Sequence, residues 1–174
     1  LLLAGLSWPV AYSLKLGQVG PLLLLLFAVG WRWLDQPIRL GLAGAVGAMV
    51  KIQPGIVLGW AVLTGRWRAV AAGVVALAAG AVVATIAAGG PSIWSDYVGI
   101  LRNVSDPLST PHNFTPGAVA FQAGASPDAA AVIQLGSTLL VIAAVVVSAV
   151  RLRSDSSYLV AVIASQLVSP VLWD

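Results

Sequence analysis

The sequence has no cysteine, no glutamate, one histidine, and charge on only 9% of its 174 residues. Each shortage excludes something. Without cysteine there is no disulfide framework, no thiolate metal site and no cysteine nucleophile. One histidine cannot build a multi-histidine metal centre, so neither a metal nor another cofactor is expected. Soluble domains carry about 25% charged residues, and a chain with so few cannot clothe a water-facing surface. What it has instead is 59% hydrophobic residues and a mean hydropathy of +0.96. The expected fold is all-α: a polytopic transmembrane helix bundle, with residues 1–174 forming one transmembrane region of about five to seven membrane segments.

A net charge of +3 and a pI near 9.8 raise the question of nucleic acid. The basic residues answer it. They stand in short pairs at the ends of apolar runs, as in the positive-inside pattern, and form no stripe with interleaved aromatics. The expected surroundings are membrane lipids, and no nucleic acid. The chain opens on Leu1-Leu2-Leu3-Ala4 without Met, and Trp173-Asp174 follow an apolar run directly. The expectation is an internal piece of a larger membrane protein, with no signal peptide.

Hydropathy and punctuation divide the chain. Residues 1–8 read as the end of a helix. Val19 to Leu34 reads as a span closed by Trp31-Arg32-Trp33, an interface anchor. Asp35-Gln36-Pro37 is a turn. Trp67 to Gly90 and Ala129 to Val150 read as spans, and Ser156 to Leu172 as another. Residues 91–128 form the one extended polar region, an outer loop. Within it, Ile93, Tyr97, Ile100, Leu101 and Val104 recur at helical spacing, the mark of an amphipathic surface helix. Gly117 to Ala123 is a candidate short helix.

Lys51 is the most informative residue. It is the single charge between Arg39 and Arg66. An ammonium at the bilayer centre costs about 2.5–3.5 kcal/mol on insertion scales, so one that is kept there calls for an anionic partner. Three residues on, Pro54 breaks the helical hydrogen-bond ladder. As one helix, Leu40 to Gly65 would run about 39 Å against a hydrocarbon core of about 30 Å. As two short arms turning near Lys51–Pro54, it returns to the side from which it came. The second reading puts Arg32, Arg39, Arg66 and Arg68 on one face, the cytoplasmic one, with Arg151 and Arg153. Irregular backbone at that depth needs a protein-lined or water-filled cavity around it. Lys51 is therefore a candidate ligand for a phosphate or carboxylate, against the alternative of a lysine snorkelling to the surface.

The two-arm topology gathers Gln18, Lys51, His112, Asn113, Trp173 and Asp174 on the outer face. Gln18 is either a donor to a sugar or phosphate oxygen or a helix cap. His112 has the chemistry of a general base, and Asn113 can hold sugar hydroxyls as donor and acceptor; both also suit a solvated loop. Asp174 is a candidate base at a helix end. Asp96 and Arg102 fit the polar side of the surface helix. There is no phosphate-cradling glycine loop and no nucleophile elbow.

Four stretches in order carry a resemblance: Leu16-Gly17-Gln18-Val19; Gly41-Leu42-Ala43-Gly44-Ala45 running into Val50-Lys51-Ile52-Gln53-Pro54; Arg66-Trp67-Arg68-Ala69; and Ser169-Pro170-Val171-Leu172-Trp173-Asp174. Together they resemble glycosyltransferase family 87 (DUF2029), whose members are similar to polyprenol-phosphate-mannose-dependent mannosyltransferases and arabinofuranosyltransferases. The resemblance implies a GT-C fold in the bacterial inner membrane. It implies transfer of mannose or arabinose from a polyprenyl-phosphate donor to a glycolipid or polysaccharide acceptor on the non-cytoplasmic face. It further implies that Lys51 lies near the donor phosphate, with Gln18, Gln53, Asn113 and Trp173 around the substrates. The family's usual catalytic acid lies in an outer loop upstream of this sequence, and where many members carry Asn-Gln-Ser this chain has His112-Asn113-Phe114-Thr115. The other reading is a transporter or flippase for an anionic or lipid-linked substrate, since broken helices and a buried charge also mark transport sites.

Overall fold

The computed structural model describes residues 11–12, 15, 18–103 and 113–168. Among these residues every regular element is helical, with eight α-helices: α1 Gly20–Arg32, α2 Pro37–Val50, α3 Ile56–Leu63, α4 Trp67–Ala87, α5 Ser92–Asn103, α6 Pro116–Gln122, α7 Pro127–Arg151 and α8 Ser154–Leu167. A 3-10 turn at Gln53–Gly55 leads into α3. The chain forms two compact units, Leu1–Leu77 and Ala78–Asp174, the first ending within α4.

In the first unit, proline and glycine set the boundaries. Pro21 and Pro37 stand in the opening turns of α1 and α2, where a missing N–H costs nothing. α2 stops at Val50, and Lys51 takes an extended backbone (φ −152°, ψ 133°). Pro54 then prevents the helix from resuming at once. α3 ends in a Schellman motif at Gly65 (φ 69°): the Gly65 N–H donates to the Val62 carbonyl and the Arg66 N–H to that of Ala61. A left-handed residue is needed there, and glycine adopts that conformation without a Cβ penalty.

The segment from α2 to α3 is a hairpin. Gly47 meets Pro54, and Gly44 meets Leu58 and Val57, so the two arms run antiparallel. One turn further up, Gly41 lies against the first turns of α4: a Cβ there would stand 2.1 Å from the Ala69 carbonyl oxygen. Three glycines at helical spacing thus let α2 approach its neighbours closely, Gly41 against the backbone of α4 and Gly44 and Gly47 against the side chains of Leu58 and Pro54, as small residues do between membrane helices. Trp60, wholly buried, fills the centre of this packing with Leu40, Ala45, Val57 and Ala61.

In the second unit, α6 and α8 each pack against α7. Ser126 caps α7, its Oγ accepting from the Ala129 N–H at 3.3 Å, with Asp128 in the first turn to complement the helix dipole. Thr85 accepts a 2.9 Å hydrogen bond from the Trp94 indole, which pins the start of α5 to the end of α4. α5 spans the expected surface helix, and Trp94, Tyr97, Val98 and Ile100 are exposed along it.

Two helices among the described residues are long and apolar enough to cross a membrane, Trp67–Ala87 and Pro127–Arg151. At 1.5 Å per residue they run about 32 and 37 Å. Most of their large side chains face outward: Val74, Val82, Val83 and Ile86 on α4, Val132, Leu139, Leu140 and Val150 on α7. Outward-facing aliphatic surface of this extent is suited to lipid. α1 departs from expectation. The span read at Val19 to Leu34 is a helix of 13 residues, about 20 Å long and too short to cross by itself. Pro37, Pro54 and Gly65 cut the first unit into helices shorter than these two.

Candidate functional site

Lys51 stands at the tip of the hairpin. Its N–H closes the last turn of α2 on the Gly47 carbonyl at 2.9 Å, and its side chain is exposed. Beside it Ile52 is 78% exposed, more than any other large apolar residue described, while Pro54 is buried beneath. The tip therefore presents one ammonium and one aliphatic side chain side by side. Gln53 opens the 3-10 turn, half-buried, with its Oε1 turned into the packing. Lys51 and Gln53 are thus brought together, one facing out and the other inward.

Gln18 belongs to the same end of the first unit. α1 and α2 are joined by a short turn and pack together, with Leu26, Val29 and Trp33 of the one and Arg39, Leu42, Ala43 and Val46 of the other lining a shared groove and Arg39 over Trp33, so the two helices run antiparallel. The start of α1 therefore lies toward the end of α2. Gln18, two residues before α1, is exposed there.

The arginines occupy the opposite end. The Arg66 guanidinium donates to the Leu34 carbonyl and stacks over the Trp60 ring with its central carbon 5.2 Å from the centroid. Arg39 stacks over Trp33 at the same distance and shares a cavity with Arg68. Arg32 closes α1 nearby. The hairpin thus separates one lysine at its tip from four arginines at its base by the length of α2, about 21 Å. Exposed Trp31 and Trp67 flank the arginines, an arrangement found at membrane–water interfaces.

Asn113 lies in the second unit and is fully buried. Its Oδ1 accepts from the Thr115 N–H at 3.1 Å, an Asx turn that leads into α6, and its carbonyl accepts from Gln122 Nε2 at 2.9 Å. The Gly117 N–H, one of the unmatched donors at the start of α6, is taken by Gln134 Oε1 of α7 at 3.0 Å. This polar cluster organises a turn, and it explains why an amide side chain stands in the middle of the apolar α7. Sequence reading missed Gln134, whose signal was a lone amide within a run of aliphatic residues. It also missed the Arg66–Trp60 pair, which no local pattern announces. His112, Trp173 and Asp174 lie outside the described residues.

Described residues whose regular elements are all helical, with outward-facing aliphatic helices, and a first unit with tryptophan and arginine at one end and an exposed lysine at the tip of an apolar hairpin define a protein built for lipid surroundings. The profile of glycosyltransferase family 87 matches residues 1–172, and the chain belongs to that family. Membership implies glycosyl transfer, hence a sugar donor and an acceptor as substrates. Searches of curated proteins and of solved structures give no match.

Proposed function

We propose that the chain is part of a GT-C glycosyltransferase that takes mannose or arabinose from a polyprenyl-phosphate donor, and that Lys51 binds the donor phosphate. The single observation that carries this reading is the hairpin tip, where an ammonium is exposed beside an aliphatic side chain at the end of two short apolar arms. A polyprenyl phosphate offers the matching pair of groups: an anion and a hydrocarbon chain. The tip faces the non-cytoplasmic side of a bacterial inner membrane, in a bundle of about five to seven membrane segments with α2 and α3 entering part-way.

The chemistry asks little of the protein. The acceptor hydroxyl oxygen bonds to the anomeric carbon as the bond from that carbon to the phosphate oxygen breaks, with inversion. The electron pair leaves with the polyprenyl phosphate, and the hydroxyl proton passes to a base. A cation fixed at the leaving phosphate lowers the barrier most, because the charge grows there in the transition state. Lys51 supplies that cation. Gln18, at the same end, is suited to donate to the sugar or phosphate. Asp174 and His112 are the candidate bases within the chain, Trp173 is assigned to substrate binding, and the acceptor is a glycolipid or cell-envelope polysaccharide.

The experiment presents the protein in liposomes with radiolabelled polyprenyl-phosphate mannose, polyprenyl-phosphate arabinose or a nucleotide sugar. The reading expects label to move covalently to a lipid or polysaccharide acceptor from a polyprenyl donor. Label that crosses the bilayer without transfer, or transfer from the nucleotide sugar alone, contradicts it.

A further inference from the structure

The arginine end of the first unit carries a second arrangement of apolar and cationic surface, separate from the Lys51 tip. A groove of about 480 Å³ runs between α1 and α2, lined by Leu26, Val29, Trp33, Leu42, Ala43 and Val46, with Arg39 at its end. Its volume falls in the ~300–1,000 Å³ range of ligand clefts. Leu42 and Val46 are 43% and 42% exposed, so the groove opens outward along its length. Arg39 also lines an adjoining cavity of about 300 Å³ with Gln36, Pro37, Ile38 and Arg68. Two guanidinium groups and a carboxamide meet there, and no carboxylate is among the lining residues. Asp35, exposed in the neighbouring turn, is the one acidic residue in 1–77.

We propose that this end of the unit holds one anionic phospholipid, with its phosphate between Arg39 and Arg68 and an acyl chain in the groove between α1 and α2. Arg39 joins the two spaces, and its planar group is held by the Trp33 ring at 5.2 Å, so it is oriented before a lipid arrives. Guanidinium is the side chain best matched to a phosphodiester. A free anion would leave the apolar groove empty, and an uncharged lipid would leave the two arginines without a counter-charge. Exposed Trp31 and Trp67 at the same end place it at headgroup depth. The bound lipid acts as an anchor: it fixes the depth of the hairpin base and with it the level of the tip.

The test is native mass spectrometry of the protein purified in mild detergent and titrated with phosphatidylglycerol or phosphatidylethanolamine of identical acyl chains. The expected result is tighter retention of phosphatidylglycerol. Arg39→Gln with Arg68→Gln lowers that affinity by about five-fold for each arginine, roughly 25-fold together. Val46→Trp, which fills the groove, lowers retention of both lipids, whereas Arg32→Gln, outside both cavities, leaves it intact. Equal retention of the two lipids by the unaltered protein overturns the proposal without reference to any variant. So does phosphatidylglycerol retention that survives the double substitution, or that falls as much with Arg32→Gln. Displacement by millimolar inorganic phosphate would reduce the site to one for a simple anion and overturn it too.

Discussion

Arg66 reaches back thirty-two residues to donate to the Leu34 carbonyl, and its guanidinium lies over the buried ring of Trp60. One side chain thus ties the turn after α3 to the turn before α2 and closes the hairpin at its base. Hydrogen bonds to charged groups contribute about 1.5–3 kcal/mol, and a part-buried cation over an aromatic ring adds to that. Arg66→Ala is expected to lower stability by about 2–3 kcal/mol, and Arg66→Lys by a smaller amount, since lysine keeps the charge but loses the planar stack. Thermal unfolding followed by tryptophan fluorescence checks both values. An unchanged transition in Arg66→Ala would contradict the role.

A second prediction concerns the glycines of the hairpin. A methyl group at Gly41 would meet the Ala69 carbonyl oxygen at 2.1 Å and the carbonyl carbon at 2.9 Å, both backbone atoms that cannot swing aside. Gly41→Ala is therefore expected to cost about 1–3 kcal/mol by overpacking. Gly59 has nothing within 4 Å of its added Cβ, so Gly59→Ala should cost nothing and gain up to about 1 kcal/mol of helix propensity. Parallel melting curves of the two variants decide the point, and equal effects would refute the close approach of α2 to α4.

A third follows from Asn113. Because its carboxamide oxygen takes the Thr115 N–H inside a buried turn, Asn113→Ala leaves that donor without its acceptor. The expected loss is about 1–3 kcal/mol of stability. Hydrogen exchange at the start of α6 should rise in the variant. Exchange equal to that of the unaltered protein would show that the turn holds without the amide.

The break in the hairpin was legible in the sequence because two independent costs coincide there: a charge in an apolar run at Lys51 and a missing donor at Pro54. The gathering of Arg32, Arg39, Arg66 and Arg68 at one end follows from the same reading, since a reversal at Lys51 brings the chain back to where it started. The helix at 92–103 was legible from its spacing. Other features were not. The length of α1 depends on where the helical hydrogen-bond ladder begins at Val19 and where Trp33 leaves helical geometry, which a continuous leucine run does not mark. Asn113 reads in sequence either as a ligand for sugar hydroxyls or as a solvated loop residue, because polarity in sequence does not distinguish an amide facing substrate or water from one satisfied by its own turn. The Arg66–Leu34 bond joins residues far apart in the chain and has no local signature.

The central claim rests on Lys51, and the most direct measurement is the binding of polyprenyl-phosphate sugar to the unaltered protein and to Lys51→Gln, with thermal unfolding and transfer rate read on the same samples. The side chain is exposed at the tip, so its replacement should leave the unfolding transition where it was. Donor affinity should fall, and kcat/KM for transfer should drop by about 10²–10³, the usual effect of removing one group that stabilises developing negative charge. A Lys51→Gln protein that binds the donor and transfers sugar as well as the original would contradict the assignment of Lys51 to the donor phosphate.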